Sequence, residues 1–423
     1  MKIVQVIENF LPDSVGGTET YVLNISRIFM DSGHEVHVVA PSVNGDREYL
    51  FEGIKVHRYS IDKIAKKDEY KQIVAPKGLN QFIDIIKTIE PDVVHFNTFN
   101  RSVNIYHLKS VKQLGIKTFL TPHISGIFCA KGSLIDYCGQ RCDGIVSKHD
   151  CVKCYLKSNG YGNRTILISR LAEKMLHLHH SFDKMIPSPA FLKQNRLDEY
   201  NDLNKWADGV IALSPWIENA LRGNGVNNVI LVRQGISESL MHSSDSNLDP
   251  LGRLKIIYVG RVYQIKNLET LCDALESIDA DKVELTMACI CNDDEYTRNI
   301  KKRLMKLPHV NWYENVPQNK LGKIIRQNDF LILTSFSEMS PLVILESFAN
   351  NVPVIATDIP PISDNVENTK NGILFPVGDS LQLSQILVDL INNPNAKTAM
   401  KSGVKPPRTF KDVASELLQI YNS

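Results

Sequence analysis

Residues 335–353 read S-F-S-E-M-S-P-L-V-I-L-E-S-F-A-N-N-V-P and carry two carboxylates, Glu338 and Glu346, around what looks like a helix start. They follow a short apolar run, Phe330-Leu331-Ile332-Leu333. A strand that stops in a polar loop and restarts as a helix puts that loop at the carboxyl edge of a parallel sheet, where open α/β sheets bind ligands. Ser340 suits an N-cap and Pro341 the first helical position. The amides of Leu342 and Val343 would then point into the loop at the positive end of the helix dipole, which makes an anion site. Carboxylates flanking an anion site fit a ligand that also carries hydroxyls, such as a sugar, because ionised carboxylates accept strong hydrogen bonds from them. A capped core helix with a solvated Glu346 fits the same residues, so the rest of the chain must decide.

Two cations support the ligand reading. An apolar run over 254–259 ends in Gly260-Arg261, and a polar loop with Lys266-Asn267 leads to a helix containing Leu268, Leu271 and Leu275. Arg261 and Lys266 therefore follow the first strand of this half and would face the anion site at Leu342 and Val343. A cationic pair, helix-end amides and two carboxylates suit a sugar diphosphate nucleotide. The cations would bind the pyrophosphate, and the carboxylates the ribose and the sugar.

The N-terminal half offers weaker signals. After a strand over 3–7, N-F-L-P-D-S-V-G-G-T-E-T reads as a loop in which Gly16-Gly17 supplies permissive backbone and Thr18 caps the next helix. With a strand over 35–40 this is a βαβ unit. It lacks G-x-G-x-x-G, which counts against a dinucleotide dehydrogenase. A strand over 118–121 leads into Pro122-His123, so His123 falls at a carboxyl end on the same edge as the Gly-Gly loop. A packed or solvent-facing histidine fits that position equally well.

Five cysteines crowd into one segment as C-x(8)-C-x(3)-C-x(8)-C-x(2)-C: Cys129, Cys138, Cys142, Cys151 and Cys154. The final C-x-x-C resembles half a zinc knuckle. In a cytosolic setting such clustering favours metal or redox chemistry over a structural disulfide. A structural zinc on Cys129, Cys142, Cys151 and Cys154 is one reading, and a loose insertion with reduced thiols is the other. Cys272, Cys289 and Cys291 read as buried thiols.

The elements that must position these groups alternate between strand and helix along both halves. Strands are expected over 56–60, 92–96, 209–213 and 229–232, then over 254–259, 283–290, 310–313, 330–333 and 352–356, with a short edge strand within 371–375. Ser214-Pro215 starts a helix. Residues 164–180 form a basic, partly amphipathic pattern that suits a membrane surface or ordinary helix packing. Residues 241–252 are polar with turn residues and no periodicity, and read as an interdomain linker. Val413, Leu417, Leu418 and Tyr421 make the apolar face of a terminal helix. The expected domains are 1–245, with the Cys-rich insertion at about 129–154, and 250–405, with the helix 409–423 packing on the first.

The chain has 423 residues, 43% hydrophobic and 22% charged, too long for one ordinary core. A formal net charge of +1 gives no footing for nucleic-acid binding. The first residues lack a signal peptide's apolar stretch, and no run of eighteen apolar residues occurs. A cytoplasmic protein is expected, with peripheral contact to the inner membrane's cytosolic face left open.

Taken in order, G-G-T-E after the first strand, T-P-H at 121–123, G-R with K-N at 260–267, S-E-M-S-P-L-V-I-L-E, P-V-I-A-T and N-G-I-L-F resemble the retaining glycosyltransferases of family 4, also called glycosyl transferases group 1. The resemblance runs over nearly the whole chain and rests on the ordered set. It implies the α/β GT-B fold: two Rossmann-like domains facing across a cleft, with the C-terminal helix crossing back to the N-terminal domain. It implies a nucleotide-sugar donor, UDP- or GDP-linked, bound by the second domain, and a glycan or lipid-linked acceptor bound by the first. Carried over by position, Arg261 and Lys266 would hold the diphosphate and Glu346 the ribose. Glu338 would hold donor-sugar hydroxyls, and His123 would contact the sugar near the reacting carbon. Gly16 and Gly17 would let the loop approach the phosphate, and Ser340, Leu342 and Val343 would complete the donor site. The resemblance implies hexose transfer with retention, without protein nucleophile or essential metal ion, in surface polysaccharide or glycolipid synthesis. A nucleotide-sugar epimerase and a non-catalytic nucleotide-sugar binding module share the fold and stay as alternatives. Met339, where many members have Gly, leaves the loop conformation and sugar preference open.

Overall fold

The computed structural model describes residues 1–63, 75–100, 102–147, 150–162, 189–241 and 252–423, with the side chains of 189–196 set aside. The basic pattern at 164–180 and nearly all of the expected linker lie outside the described residues. The chain divides into two compact units, Met1–Arg233 with Val413–Ser423, and Gln234–Asp412.

The first unit holds strands β1 (Lys2–Val6), β2 (Glu35–Ser42), β3 (Arg47–Phe51), β4 (Ile54–Ser60), β5 (Val93–Phe96), β6 (Lys117–Leu120), β7 (Gly209–Ala212) and β8 (Val229–Leu231). They form an eight-stranded sheet in the order β3-β4-β2-β1-β5-β6-β7-β8, parallel except for the antiparallel β3–β4 pair. β1, β5 and β7 are mostly apolar and buried along almost their whole length, as expected of parallel strands covered on both faces. Strand β3 is absent from the sequence reading. Its signals are the alternation in R-E-Y-L-F and a tight turn at Glu52-Gly53, both at positive φ.

The second unit holds β9 (Leu254–Arg261), β10 (Val283–Ile290), β11 (Val310–Glu314), β12 (Phe330–Leu333), β13 (Val354–Thr357) and β14 (Gly372–Phe375). All pair in parallel, in the order β11-β10-β9-β12-β13-β14. Alternate residues feed opposite faces. Ile256, Phe330 and Ile332 join a core with Leu268, Leu271 and Leu383, and Ile257, Leu331 and Leu333 join one with Ile325, Ile344 and Phe348. The chain order reverses direction at β9, with β10 on one side and β12 on the other. The crevice beyond the carboxyl ends of β9 and β12 is thus the topological switch point of this sheet. The second unit begins at Gln234 because Ile236 bridges Thr409 and Leu240 packs with Leu345.

The stretch Val413–Ser423, within the helix Phe410–Asn422, belongs to the first unit. Val413, Leu417 and Tyr421 are buried, while Leu418 is half-buried. The Tyr421 ring lies 5.0 Å from that of Phe119 and 5.9 Å from that of Phe29. Its hydroxyl meets His95 Nδ1, and its carbonyl accepts from Lys117 Nζ at 3.0 Å. His95 Nε2 in turn lies 2.7 Å from Thr121 Oγ1. Deleting a buried aromatic of this size should cost Tyr421→Ala about 3–5 kcal/mol in urea denaturation. Tyr421→Phe, which removes the hydroxyl's bonds to His95 and Gln5, should cost about 1–3 kcal/mol.

Candidate functional site

The second unit gathers most of the expected residues at its switch point. The loop after β9 and the loop after β12 are tied together by backbone and side-chain bonds. Phe336 N donates to Ile265 O at 2.9 Å, and Thr334 Oγ1 donates to Lys266 O at 2.8 Å. Thr357 Oγ1 donates to Ser335 O at 2.8 Å and anchors the second loop to β13. Asn267 adopts φ 49, a left-handed conformation that asparagine tolerates, and its side chain reaches Thr270 Oγ1 at 2.7 Å. This turn presents Lys266. Its ammonium sits 2.6 Å from Glu338 Oε1, which also accepts from Ser335 Oγ at 2.7 Å. The two side chains are only 24% and 10% exposed, so this is a charge-assisted bond in a sheltered place. Lys266 and Glu338, expected to serve different parts of a ligand, pair with each other in the structure.

Arg261 ends β9 and is exposed, and its carbonyl accepts from the buried Tyr258 hydroxyl at 2.6 Å. That hydroxyl lies 3.1 Å from where a Cβ on Gly260 would be, and Gly260 has φ 149. Only glycine fits both the backbone and the space there. Tyr258 is a contributor the sequence reading missed.

The helix after β12 is Leu342–Ala349, and Pro341, not Ser340, is its N-cap. Pro341 is extended (φ -72, ψ 96), so the helix starts one residue later than expected and Ser340 lies too far back to cap it. No side chain caps this end. Ile344 N bonds Pro341 O at 3.1 Å, while among the described residues Leu342 and Val343 donate no backbone hydrogen bond. Open amides at a helix start make the expected anion cradle.

Glu346 stands apart from this cluster. It is buried, and its Oε1 accepts from Gln318 Nε2 at 3.0 Å. Burial pushes its carboxyl above the usual range, partly offset by that hydrogen bond. Gln318, at the start of the helix Gln318–Arg326, carries no sequence signal for this contact.

In the first unit the helix Gly17–Asp31 starts from Gly16, whose carbonyl accepts from Thr20 N at 3.0 Å. Thr18 is therefore inside the helix and is not its cap. No side chain caps this end either, so it too presents open amides. The preceding loop is held by Arg58, a buried guanidinium on β4. Arg58 Nη2 donates to Phe10 O at 2.8 Å, Asp13 Oδ2 at 3.0 Å and Tyr49 Oη at 3.2 Å. Tyr49 donates to Leu11 O at 2.6 Å. The hairpin that the sequence reading missed is thus what fixes the approach to Gly16-Gly17.

His123 lies beyond the end of β6 with its ring 4.6 Å from that of Tyr21. Its Nε2 is buried without a hydrogen-bond partner. Burial lowers its pKa to about 3, so the imidazole is neutral at physiological pH. The sequence-predicted set thus splits: Gly16, Gly17 and His123 lie in the first unit, and Arg261, Lys266, Glu338, Ser340, Leu342, Val343 and Glu346 in the second.

All eight cysteines are free. Cys272 and Cys289 are buried as expected, while Cys291 is half-buried, 3.5 Å from the Cys289 sulfur. Among the described residues no group of three or more His, Cys, Asp or Glu side chains stands ready to hold a metal ion, and no helix is long and apolar enough to cross a membrane.

Known proteins match both units. Residues 243–405 match the family described as Glycosyl transferases group 1, and residues 15–171 match Glycosyltransferase Family 4. An uncharacterized glycosyltransferase of Methanocaldococcus jannaschii is 25% identical over 208 residues, 48% of this chain and 56% of that protein. A putative teichuronic acid biosynthesis glycosyltransferase of Bacillus subtilis, TuaC, is 31% identical over 115 residues, 27% of each chain. The matched part of the chain thus spans about half or less of these relatives' lengths. Among solved structures, Anabaena HepE in complex with UDP and glucose is similar with a TM-score of 0.68 at 14% identity, covering 99% of this chain and 98% of that one.

Glu346 generates a pH-dependent prediction. A buried carboxyl with a raised pKa lets the fold keep its full stability below the ordinary carboxylate range. Stability falls as pH rises through the raised value, because the folded state resists ionisation. Glu346→Gln removes that ionisation and keeps an amide for Gln318. Its melting temperature should exceed the parent's at alkaline pH, by roughly 2–4 °C for each kcal/mol recovered. The gap should close toward acid pH in a thermal-melt series.

Proposed function

We propose, for a chain that belongs to the GT-B glycosyltransferases with a glycosyl transferases group 1 domain, that it moves a hexose from a UDP- or GDP-linked donor to a saccharide or glycolipid acceptor with retention of configuration. The observation that carries this reading is the Lys266–Glu338–Ser335 cluster beside two open helix amides at the switch point of the second unit. An ion pair of this kind suits a ligand that is anionic at one end and rich in hydroxyls at the other. Diphosphate would take Lys266, with Arg261, Ser340 and the Leu342 and Val343 amides around it. Glu338, so released, would accept from sugar hydroxyls. Glu346 would serve the ribose by exchanging its bond to Gln318.

In the transfer the acceptor oxygen bonds to the anomeric carbon as the carbon–phosphate oxygen bond breaks. The acceptor proton passes to the departing diphosphate. Arg261, Lys266 and the open amides would stabilise the charge that grows on that leaving group. His123, neutral and with an unpaired Nε2, offers a hydrogen bond to a sugar hydroxyl and not a positive charge. Gly16 and Gly17 would allow close approach of phosphate to the first unit's open helix start. A role in building a surface polysaccharide draws support from the teichuronic acid assignment of the Bacillus subtilis relative. UDP as carrier draws support from the Anabaena complex.

Thermal-shift screening with UDP-, GDP- and ADP-sugars should raise the melting temperature for one carrier by mass action. Arg261→Ala and Lys266→Ala should each lower kcat by about 10²–10³-fold, the usual loss for one donor to a developing anion. The melt should hold in Arg261→Ala and fall in Lys266→Ala, which strands the sheltered Glu338 carboxylate. Full turnover in both would sink the assignment. Formation of an isomeric nucleotide sugar without acceptor would point to epimerisation instead. The profile of kcat/KM should show no limb near pH 6.5, the ordinary histidine value, because His123 stays neutral through it.

A further inference from the structure

Four titratable side chains that the transfer reaction does not use line one face of β2, β4 and β3. Glu35 and His37 are alternate residues of β2, and His57 on β4 stands directly opposite Glu48 on β3. They join in a chain of three contacts. Glu35 Oε1 lies 2.8 Å from His37 Nε2, His37 Nδ1 lies 2.9 Å from His57 Nε2, and His57 Nδ1 lies 2.7 Å from Glu48 Oε1. With the facing nitrogens at 2.9 Å and the ring centres at 5.2 Å, the rings meet edge to edge, the geometry of an N–H···N bond. The proton count follows from the partners. An ionised carboxylate only accepts, so Glu35 needs a proton on His37 Nε2 and Glu48 needs one on His57 Nδ1. The middle contact needs one more, since two lone pairs would repel. Three protons are one more than two neutral imidazoles carry. Four would set N–H against N–H in the middle.

We propose that His37 and His57 share one bridging proton and form a pH-sensitive latch that holds β3 on the sheet. Loss of that proton to solvent leaves two protons for three contacts, so one contact must break. The Glu48 side chain is 75% exposed and that of Glu35 52%, so water replaces the Glu48 bond more readily and β3 is released there. A second proton breaks the middle contact instead. Burial lowers the pKa of His37, partly offset by its bond to Glu35, in keeping with resistance to a second proton. Among the described residues, Lys55 on β4 also acts on the pair, and Lys2 on β1 acts on Glu35. The helix Leu79–Ile89 buries Phe82, Ile86 and Ile89, while its Asp84 and Lys87 are exposed. Below the ordinary histidine value of about 6.5 an unfolded chain binds more protons than the latched pair, and above it fewer. The latch therefore contributes most to stability near that value and less on either side. Tyr49 leaves β3 on the opposite face from Glu48. Arg58 holds Phe10 and Asp13 whatever the proton does, so the latch bears on the opening of β3 and not on turnover.

The test is a double-mutant cycle on the full chain, with His37→Gln, His57→Gln and both together, in urea denaturation at about pH 5, 6.5 and 9. The coupling between the two positions should be largest near pH 6.5 and lost at both extremes. The buried His95, His107 and His123, whose pKa values burial also lowers, cancel in the cycle. Because a histidine variant could misfold, hydrogen exchange is also followed in the parent and in Glu48→Gln, whose site is exposed. In the parent, protection of Arg47–Phe51 relative to Lys2–Val6 should fall roughly fivefold from about pH 6.5 to about pH 9, the worth of one hydrogen bond. In Glu48→Gln that fall should vanish, since an amide can either accept from His57 Nδ1 or donate to it. A coupling that does not change with pH, or a β3 protection that stays constant in the parent, overturns the proposal.

Discussion

The junction of β9 and β12 is the constraint on which the second unit depends. Strands that are far apart in sequence lie side by side, so their carboxyl ends open into one crevice. The loops leaving those ends are stitched by Phe336 to Ile265 and by Thr334 to Lys266. Without that stitching Lys266 and Glu338 would be two solvated side chains of modest consequence. With it they meet in a sheltered pair. The same junction leaves the helix start after Pro341 uncapped, which would be a flaw in a helix with no other purpose.

The first unit solves a related problem differently. A buried guanidinium holds its Gly-Gly loop. Arg58 Nη2 collects a carbonyl, a carboxylate and a tyrosine hydroxyl, which offsets part of the cost of burying a cation. The antiparallel strand β3 exists at the edge of the sheet partly to supply Tyr49 to this arrangement. Near the middle of the sheet, Tyr421 and His95 tie the returning chain to the end of β6, beyond which His123 lies. His123 itself is kept neutral by burial against Tyr21, so its chemistry is that of a hydrogen-bonding group.

Much of this was legible in the residue order. The apolar run Phe330–Leu333 is a strand as expected, because a strand buried on both faces leaves a continuous apolar signature. The placing of Arg261, Lys266 and Glu338 at carboxyl ends followed from strand–loop–helix succession alone. The errors were local. Ser340 and Thr18 look like caps, yet the backbone at Pro341 and Gly16 set each helix boundary elsewhere. Strand β3 is barely legible in the sequence because an edge strand is half exposed and carries mixed polarity.

The sequence by itself determined the periodicities, the turns, the cationic and acidic residues at strand ends, and the spacing of the cysteines. These depend on neighbours within a few residues, where propensity and pattern act. Only the tertiary structure decided that Lys266 pairs with Glu338, that Glu346 turns to Gln318, that Arg58 holds the Phe10–Asp13 loop and that His123 is neutral. Each of those outcomes is a contact or a desolvation created by segments that are distant along the chain. Charge, burial and hydrogen-bond partners belong to the packed molecule, so no local pattern encodes them.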